Sequence, residues 1–138
     1  MSDDAAGRRA AIAARQADLV AALTTGGTAP DGVDPHRVAV TAEALLRKRA
    51  GEVAWRWPGL LAAPAQRDEF VRWARHRPRD RSFVEGWEFA ELLERTGGLD
   101  AAGTAELTAV RARWTRGADG PVRRRLWASP RARWRRGG

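Results

Sequence analysis

Apolar residues recur at steps of three and four along most of the chain, which is the spacing of one face of an α-helix. Five stretches with this spacing are separated by proline and glycine, the residues that most often end helices. They predict α-helices at about residues 5–25, 35–57, 64–75, 82–96 and 100–117. Because five helices in about 115 residues leave no room for a sheet of any size, the pattern predicts an all-α fold, a compact bundle of about five helices.

The second of these helices has the clearest boundaries. The dipeptide Asp34-Pro35 supplies an N-cap acceptor and a proline for the first helical position, and Pro58 ends the helix. Gly51 lies in its interior and costs about 1 kcal/mol relative to alanine. Because Trp55 lies two residues from Trp57, both cannot easily share one helix face, and one of them should be exposed or at an interface. The predicted apolar face consists of Val38, Ala42, Leu45, Leu46, Arg49, Val53 and Trp57.

The fourth helix carries a predicted cap and four glutamates. Ser82, with Glu85 three positions later, matches the capping box that starts many helices. Along the helix, Glu85, Glu88, Glu91 and Glu94 follow one another at steps of three. A di-metal site in a helical bundle needs Glu-x-x-His motifs on separate helices, and this sequence contains none. We therefore interpret the four glutamates as an acidic, solvated face.

Charge is distributed unevenly along the chain, whose formal net charge is +8. Residues 1–117 hold 18 basic and 16 acidic side chains, a balance of +2, whereas residues 118–138 hold seven arginines and one acid, a balance of +6. We therefore predict a helical domain over residues 1–117 and a basic Arg/Trp-containing tail over residues 118–138. Alternation over residues 122–127 could give this Arg-rich arm one short strand. Helical spacing also predicts three ion pairs in the body, Glu43 with Arg47, Glu52 with Arg56 and Glu91 with Arg95.

The sequence offers no constellation that would make the chain an independent enzyme. It contains no cysteine, which excludes disulfides, thiolate zinc sites, iron–sulfur clusters and cysteine nucleophiles. Its two histidines, His36 and His76, have no second ligand at metal-binding spacing, and there is no G-x-S-x-G or phosphate-loop motif. We expect no catalytic residue, metal or cofactor in this chain. No signal peptide and no membrane span is evident, so we expect a cytoplasmic location and no membrane contact.

Tryptophan and arginine are the residues from which a binding surface would be built, because both are enriched at protein interface hot spots and both suit nucleic-acid stacking. One candidate surface lies on the polar side of the second helix and consists of Arg47, Lys48, Trp55 and Arg56. The other lies in the tail and consists of Arg123, Arg124, Arg125 and Trp127. An ordinary solvated helix face and an unstructured basic terminus are the alternatives for these segments. Composition does not choose between a protein and a nucleic acid as the partner.

The helix boundaries carry a set of short motifs within residues 15–115. They are Gly32-Val33-Asp34-Pro35, Leu45 to Trp57-Pro58, Phe70 to Pro78, and Phe89-Ala90. This arrangement resembles the HvfC/BufC-type N-terminal domain family, which has a first helix, a G-F-D-P helix start, a long helix ending near a proline, a helix closing in H-P, and a further helix bearing F-A. Here Val33 replaces the usual phenylalanine, and Arg77 stands at or beside the usual histidine. The sequence looks most similar to short actinobacterial relatives.

What this resemblance implies is a helical accessory protein without catalytic residues of its own. Members of the family are partners of multinuclear non-haem iron oxidases with a TIM-barrel fold, which modify cysteine-containing ribosomally made peptides; the methanobactin partner subunit belongs to the same group. Iron and catalysis belong to the oxidase, while the partner binds the oxidase as a heterodimer and helps to receive the substrate's leader peptide. Larger relatives engage a leader by strand addition through a further β-containing region. This sequence lacks that region, so residues 122–127 are the segment that could supply an edge.

A nucleic-acid-binding module is the alternative function. The same domain family carries a DNA-binding label, and the tail arginines at Arg123–Arg125 and Arg131–Arg136 could contact phosphates. Against this reading, the helical body is nearly charge-balanced, and no helix-turn-helix pair with a basic recognition helix is evident. A structural or regulatory helical domain of another kind is the third alternative.

Overall fold

The computed structural model of the protein describes residues 2–117 and 123–125. These residues form five α-helices and two short β-strands: α1 (Ser2–Thr24), α2 (Pro35–Arg56), α3 (Pro64–Ala74), α4 (Ser82–Thr96), α5 (Ala101–Arg113), β1 (Trp114–Thr115) and β2 (Arg123–Arg124). The predicted all-α bundle is confirmed. The predicted first residues of α2 and α3 agree with the structure.

Helix α2 is the centre of the bundle because it packs against α1, α3 and α4. It begins where the sequence predicts: the side chain of Asp34 accepts a hydrogen bond of 2.9 Å from the N–H of His36, and Pro35 occupies the first helical position. Helix α5 packs against α4. One core joins α2 to α5: Leu46, Ala50, Val53, Trp57, Leu60, Leu61, Phe70, Val71, Ala74, Trp87, Phe89, Ala90, Leu93 and Leu107.

The two neighbouring tryptophans near the end of α2 have opposite environments. Trp57 is fully buried, and its indole N–H donates a hydrogen bond of 3.0 Å to the carbonyl of Phe83. It lies directly against Gly86 of α4, where a β-carbon would overlap its ring. Trp55 is 77% exposed. The prediction that one of the two is exposed is therefore confirmed, and the exposed one is Trp55.

The start of α4 and its glutamates differ from the sequence prediction. Ser82 is the first helical residue and not the N-cap; Arg81 is the N-cap, and it makes no side-chain capping bond. Glu85 turns into the protein, where it is 2% exposed and forms an ion pair with Arg49 of α2. A step of three residues turns a helix by about 300°, so successive glutamates shift by about 60° around the axis. The prediction of one solvated acidic face is therefore wrong for Glu85, while Glu94, at the other end of the series, is exposed.

The chain leaves α5 at Arg113, earlier than the sequence predicts. Trp114 has an extended backbone, and β1 pairs with β2 in antiparallel register, so that Trp114 lies opposite Arg124. The N–H of Arg125 extends this pairing with a hydrogen bond of 2.7 Å to the carbonyl of Arg113. The prediction of one short strand within residues 122–127 is confirmed. The predicted boundary between helical domain and tail stays a prediction.

Candidate functional site

An open cavity of about 620 Å³ lies where the end of α2 meets the start of α4 and strand β1. Phe83 and Trp114 pack together with 5.6 Å between ring centroids and form its aromatic side. Arg56 and Arg81 form its cationic side, and among the described residues neither guanidinium group lies within ion-pair distance of a carboxylate. The complete lining is Arg56, Arg81, Ser82, Phe83, Val84 and Trp114. The cavity thus combines aromatic surface with two unneutralised positive charges.

The first turn of α4 adds hydrogen-bond donors to this cavity. The backbone N–H groups of Ser82, Phe83 and Val84 cannot be paired within the helix. In the part of the chain that the structure describes, they also meet no capping acceptor. The helix dipole places partial positive charge at the same end. The carboxylate of Asp80 accepts a hydrogen bond of 2.6 Å from the N–H of Arg81 at this end and offsets part of the positive charge. The guanidinium groups of Arg56 and Arg81 have no such carboxylate among the described residues, so they can bind an anionic group.

The four residues predicted as a binding surface on α2 divide into separate groups. Arg47 lies 3.3 Å from Asp68 of α3, so its charge is used within the bundle. Arg56 lines the cavity, and its guanidinium group also lies 5.1 Å from the ring centroid of Trp55. Lys48 is exposed and lines a different, smaller cavity beside the end of α1. Trp55 and Arg56 therefore belong with the cavity at the start of α4, whereas Lys48 does not.

The predicted tail surface does not line the cavity but lies beside it, because β2 pairs with β1. Arg123, Arg124 and Arg125 are exposed, and Arg124 lies opposite the cavity-lining Trp114 in the antiparallel register. The Nε of Arg125 also donates to the carbonyl of Trp114 over 3.4 Å. Trp127 lies outside the residues that the structure describes. The structure therefore brings parts of two surfaces that the sequence treats as separate, Arg56 of one and Arg124 of the other, close to the same cavity.

Three of the cavity residues, Arg81, Phe83 and Trp114, could not be identified from the sequence as parts of a site. Phe83 and Trp114 fall on apolar stripes at helical spacing, so the pattern assigns them to the core. Arg81 falls in a predicted polar turn. Its position directly before a helix start, next to unpaired backbone N–H groups, is the signal that could have identified it.

Other arginines near α4 are neutralised by its glutamates. Arg116 lies 2.7 Å from Glu88, and Arg111 lies 2.8 Å from Glu94. Hydrogen bonding from Arg111 holds the pKa of Glu94 below its ordinary value, so this pair is ionic at neutral pH. The guanidinium groups at the cavity differ from these because no glutamate of the described residues pairs with them.

Two further kinds of site are not found in the described part of the chain. Residues 2–117 and 123–125 contain no group of three or more histidine, aspartate or glutamate side chains that could hold a metal ion. Over the same ranges, no helix has both the length and the apolar character needed to cross a membrane.

The fold and the cavity define the class of protein: an all-helical domain with an open cationic and aromatic face at one end of its central helix. Residues 13–95 match the family model described as SCO6045-like, C-terminal domain, and the chain belongs to this family. The match runs from the middle of α1 almost to the end of α4, so it includes Trp55, Arg56 and Arg81 but not β1 or β2. No curated protein and no solved structure matches the chain.

Proposed function

We propose that the chain is a non-catalytic partner subunit of a multinuclear non-haem iron oxidase with a TIM-barrel fold, and that the two proteins together modify a ribosomally synthesised peptide. Two observations support this proposal: the helix-boundary motifs that resemble the HvfC/BufC-type domain, and the open face around Trp55, Arg56 and Arg81. The open face is the observation that carries the proposal, because tryptophan and arginine are among the residues most enriched at interface hot spots. In this proposal the complex is cytoplasmic, the iron belongs to the oxidase, and this chain contributes binding.

The open face fits a partner surface that is both acidic and apolar. A guanidinium group binds a carboxylate through two parallel hydrogen bonds. Arg56 and Arg81 lie on one cavity, and among the described residues no carboxylate lies within ion-pair distance of either guanidinium group. Beside them, Trp55 is 77% exposed and offers a large, rigid apolar surface. A partner that places carboxylates on the arginines and apolar side chains on the tryptophan would remove this surface from water. The oxidase is the expected partner, in a heterodimer.

The proposal assigns the substrate's leader peptide to the free edge of β2. Among the described residues β2 pairs with β1 alone. In an antiparallel pair, successive residues point their N–H and C=O groups to alternate sides, and the N–H of Arg125 points toward β1. The backbone groups of Arg124 therefore point away from β1 and can pair with an added strand. An extended leader with acidic side chains would complement the exposed Arg123 and Arg125.

Removing the positive charges of Arg56 and Arg81 should weaken association with the oxidase. We expect the double variant Arg56→Ala/Arg81→Ala, and separately Trp55→Ala, to weaken binding about tenfold or more, because truncation of a hot-spot residue typically has this effect. Isothermal titration calorimetry with the purified iron oxidase measures the dissociation constant. Arg9→Ala removes an exposed arginine from α1 and is the matched control, which should leave the dissociation constant unchanged.

Modification of a precursor peptide by the complex is a second test of the proposed function. The oxidase and a precursor peptide are co-expressed with and without this chain, and the peptide is analysed by mass spectrometry. The modified mass is expected only when this chain is present, and in reduced amount with the weakened variants. A chain that does not associate with the oxidase, or a peptide that is modified equally in its absence, contradicts the proposal.

The exposure of Arg123, Arg124 and Arg125 favours a second candidate function, the binding of nucleic acid. If these side chains neutralise phosphates, the logarithm of the binding constant must fall linearly with the logarithm of the salt concentration. Replacing all three by alanine should then reduce the steepness of that dependence by about 3. Fluorescence anisotropy of a labelled DNA duplex at several salt concentrations measures the slope. An unchanged slope, or no binding at moderate salt, excludes this function.

A further inference from the structure

The outer face of α2 carries an exposed seam that the bundle leaves uncovered. Its residues, Ala44, Lys48, Gly51 and Trp55, follow one another at steps of four, three and four. This is the spacing with which one helix packs along another. All four are exposed, and helical geometry places them on the side of α2 opposite its buried residues. This α2 seam is therefore a helix-packing surface without a partner in the described residues.

No contact or backbone conformation of the described residues requires glycine at position 51 of α2. Gly51 lies inside a helix, where glycine is less favourable than alanine, and its φ is not positive. A β-carbon at this position would meet no atom within 4 Å. Neither the backbone conformation nor the packing of the described residues therefore requires glycine here. Glycine does have a use if a second backbone approaches α2 closely at this point.

The charge available along this side of α2 is positive. Lys48 lies in the seam, and no carboxylate of the described residues lies within ion-pair distance of it. The carboxylates of α2 are held by other parts of the bundle: Glu43 lies 2.8 Å from Arg75, and Glu52 pairs with Arg79. A helix that covers the seam must therefore supply the carboxylate that neutralises Lys48.

We propose that the α2 seam is the docking site of an acidic amphipathic helix that passes closest to α2 at Gly51, places a carboxylate on Lys48 and covers Trp55 with apolar side chains. This inference rests on the proposed function, because it assigns that helix to the iron oxidase. Trp55 is then shared by the seam and the neighbouring cavity, so the two form one interface. A second copy of the chain is a poorer occupant, because its own seam contains no carboxylate that could neutralise Lys48.

Substitutions at Gly51 separate binding from stability. We expect Gly51→Ala to raise the melting temperature of the isolated protein by about 3 °C, since it removes an unfavourable helical glycine. Gly51→Leu keeps the helix but places a bulky side chain between the two backbones, so it should weaken binding of the oxidase about tenfold or more. Gly7→Leu is the matched control, because Gly7 is also helical and a β-carbon there also meets no atom within 4 Å. Its affinity should equal that of the unchanged protein.

Lys48 gives a direct report on the seam because it is the only lysine in the chain. A carbodiimide joins the lysine amine to a carboxylate that contacts it, and mass spectrometry of the complex with the oxidase identifies the linked peptides. We expect a cross-link from Lys48 to an acidic residue in a helix of the oxidase. The cross-link should be lost in Lys48→Arg, which keeps the charge but removes the reactive amine.

The outcomes distinguish this inference from the proposed function. Failure of the unchanged protein to bind the oxidase overturns both. Binding that is unaffected by Gly51→Leu, with no cross-link from Lys48, overturns the seam while leaving the proposed function standing. If the unchanged protein sediments as a dimer that Gly51→Leu dissociates, a second copy occupies the seam and the acidic helix is excluded.

Discussion

Replacing Glu85 by alanine is expected to lower the free energy of unfolding by about 3–5 kcal/mol, a large part of the stability of a domain of this size. The cause is the buried guanidinium group of Arg49, which would lose its counter-charge. Arg49 is 6% exposed, and its guanidinium group is held by Glu85 and by hydrogen bonds to the carbonyls of Arg77, at 3.0 Å, and Pro78, at 3.1 Å. Without Glu85 a positive charge would remain buried without a counter-charge. Urea unfolding followed by tryptophan fluorescence measures the loss.

Two comparisons show whether the buried charge is the cause. Glu94→Ala removes a glutamate that pairs with Arg111 at the surface, and its effect should be far smaller because exposed ion pairs contribute little. The double variant Arg49→Met/Glu85→Leu removes both buried charges and should be more stable than Glu85→Ala, because apolar replacement of a buried pair is often close to neutral. Equal losses for Glu85→Ala and Glu94→Ala, or a double variant less stable than the single one, would contradict this explanation.

The buried Arg49–Glu85 pair also positions Arg81, one residue of the open face. Glu85 accepts a hydrogen bond of 3.0 Å from the N–H of Asp80, and Arg49 holds carbonyl groups of the segment before it. These contacts fix the segment that leads into α4. Arg81 is the next residue along the chain and lines the cavity. The stability of the bundle and the placement of one binding residue therefore depend on one ion pair.

Helix boundaries could be predicted from the sequence because they depend on local signals. Asp34, Pro35 and Pro64 act on the backbone at or next to their own positions, and the structure starts α2 and α3 at the two prolines. The buried ion pair could not be predicted in full. Periodicity places Arg49 on the apolar face of α2, which is a signal of burial, but its partner Glu85 lies 36 positions away. Nothing local to either residue identifies the other.

The predicted ion pairs show the same difference between local and tertiary information. Glu43 and Arg47 do pair, at 3.4 Å, as their spacing in one helix predicts. Glu52, however, pairs with Arg79, and Glu91 pairs with arginines beyond α4. The predicted pairing of Glu52 and Glu91 within their own helices is therefore wrong. Partners from other elements take the place of the residue one turn away once the helices pack.

The candidate site shows the same difference between local and tertiary information. Trp55 could be identified because a residue two positions from a buried one in a helix faces another direction, and Arg56 because it lies on the polar side of α2. Their association with Arg81 and Trp114 depends on how α2 packs against α4 and β1. Arg124 reaches the same region only because β2 pairs with β1. Composition and periodicity carry no information on that pairing, so the sequence predicts the residues of the site but not their assembly around one cavity.

Gly86→Ala is expected to lower the free energy of unfolding by about 1–3 kcal/mol, although alanine is the better helix former. A β-carbon at Gly86 would overlap the indole ring of Trp57. That ring is fully buried and its N–H is bonded to the carbonyl of Phe83 at 3.0 Å, so it cannot move aside without losing contacts. Either the ring shifts or α4 moves away from α2. Thermal unfolding followed by circular dichroism measures the effect.

The same substitution in α2 provides the matched comparison. Gly51→Ala and Gly86→Ala each replace a helical glycine, but only Gly86 faces a ring. We expect a higher melting temperature for Gly51→Ala and a lower one for Gly86→Ala. Because the clash requires Trp57, Gly86→Ala should cost less in a Trp57→Leu background, and the two substitutions should be non-additive. A rise in melting temperature for Gly86→Ala, or strict additivity with Trp57→Leu, would mean that α4 does not approach α2 closely at this glycine.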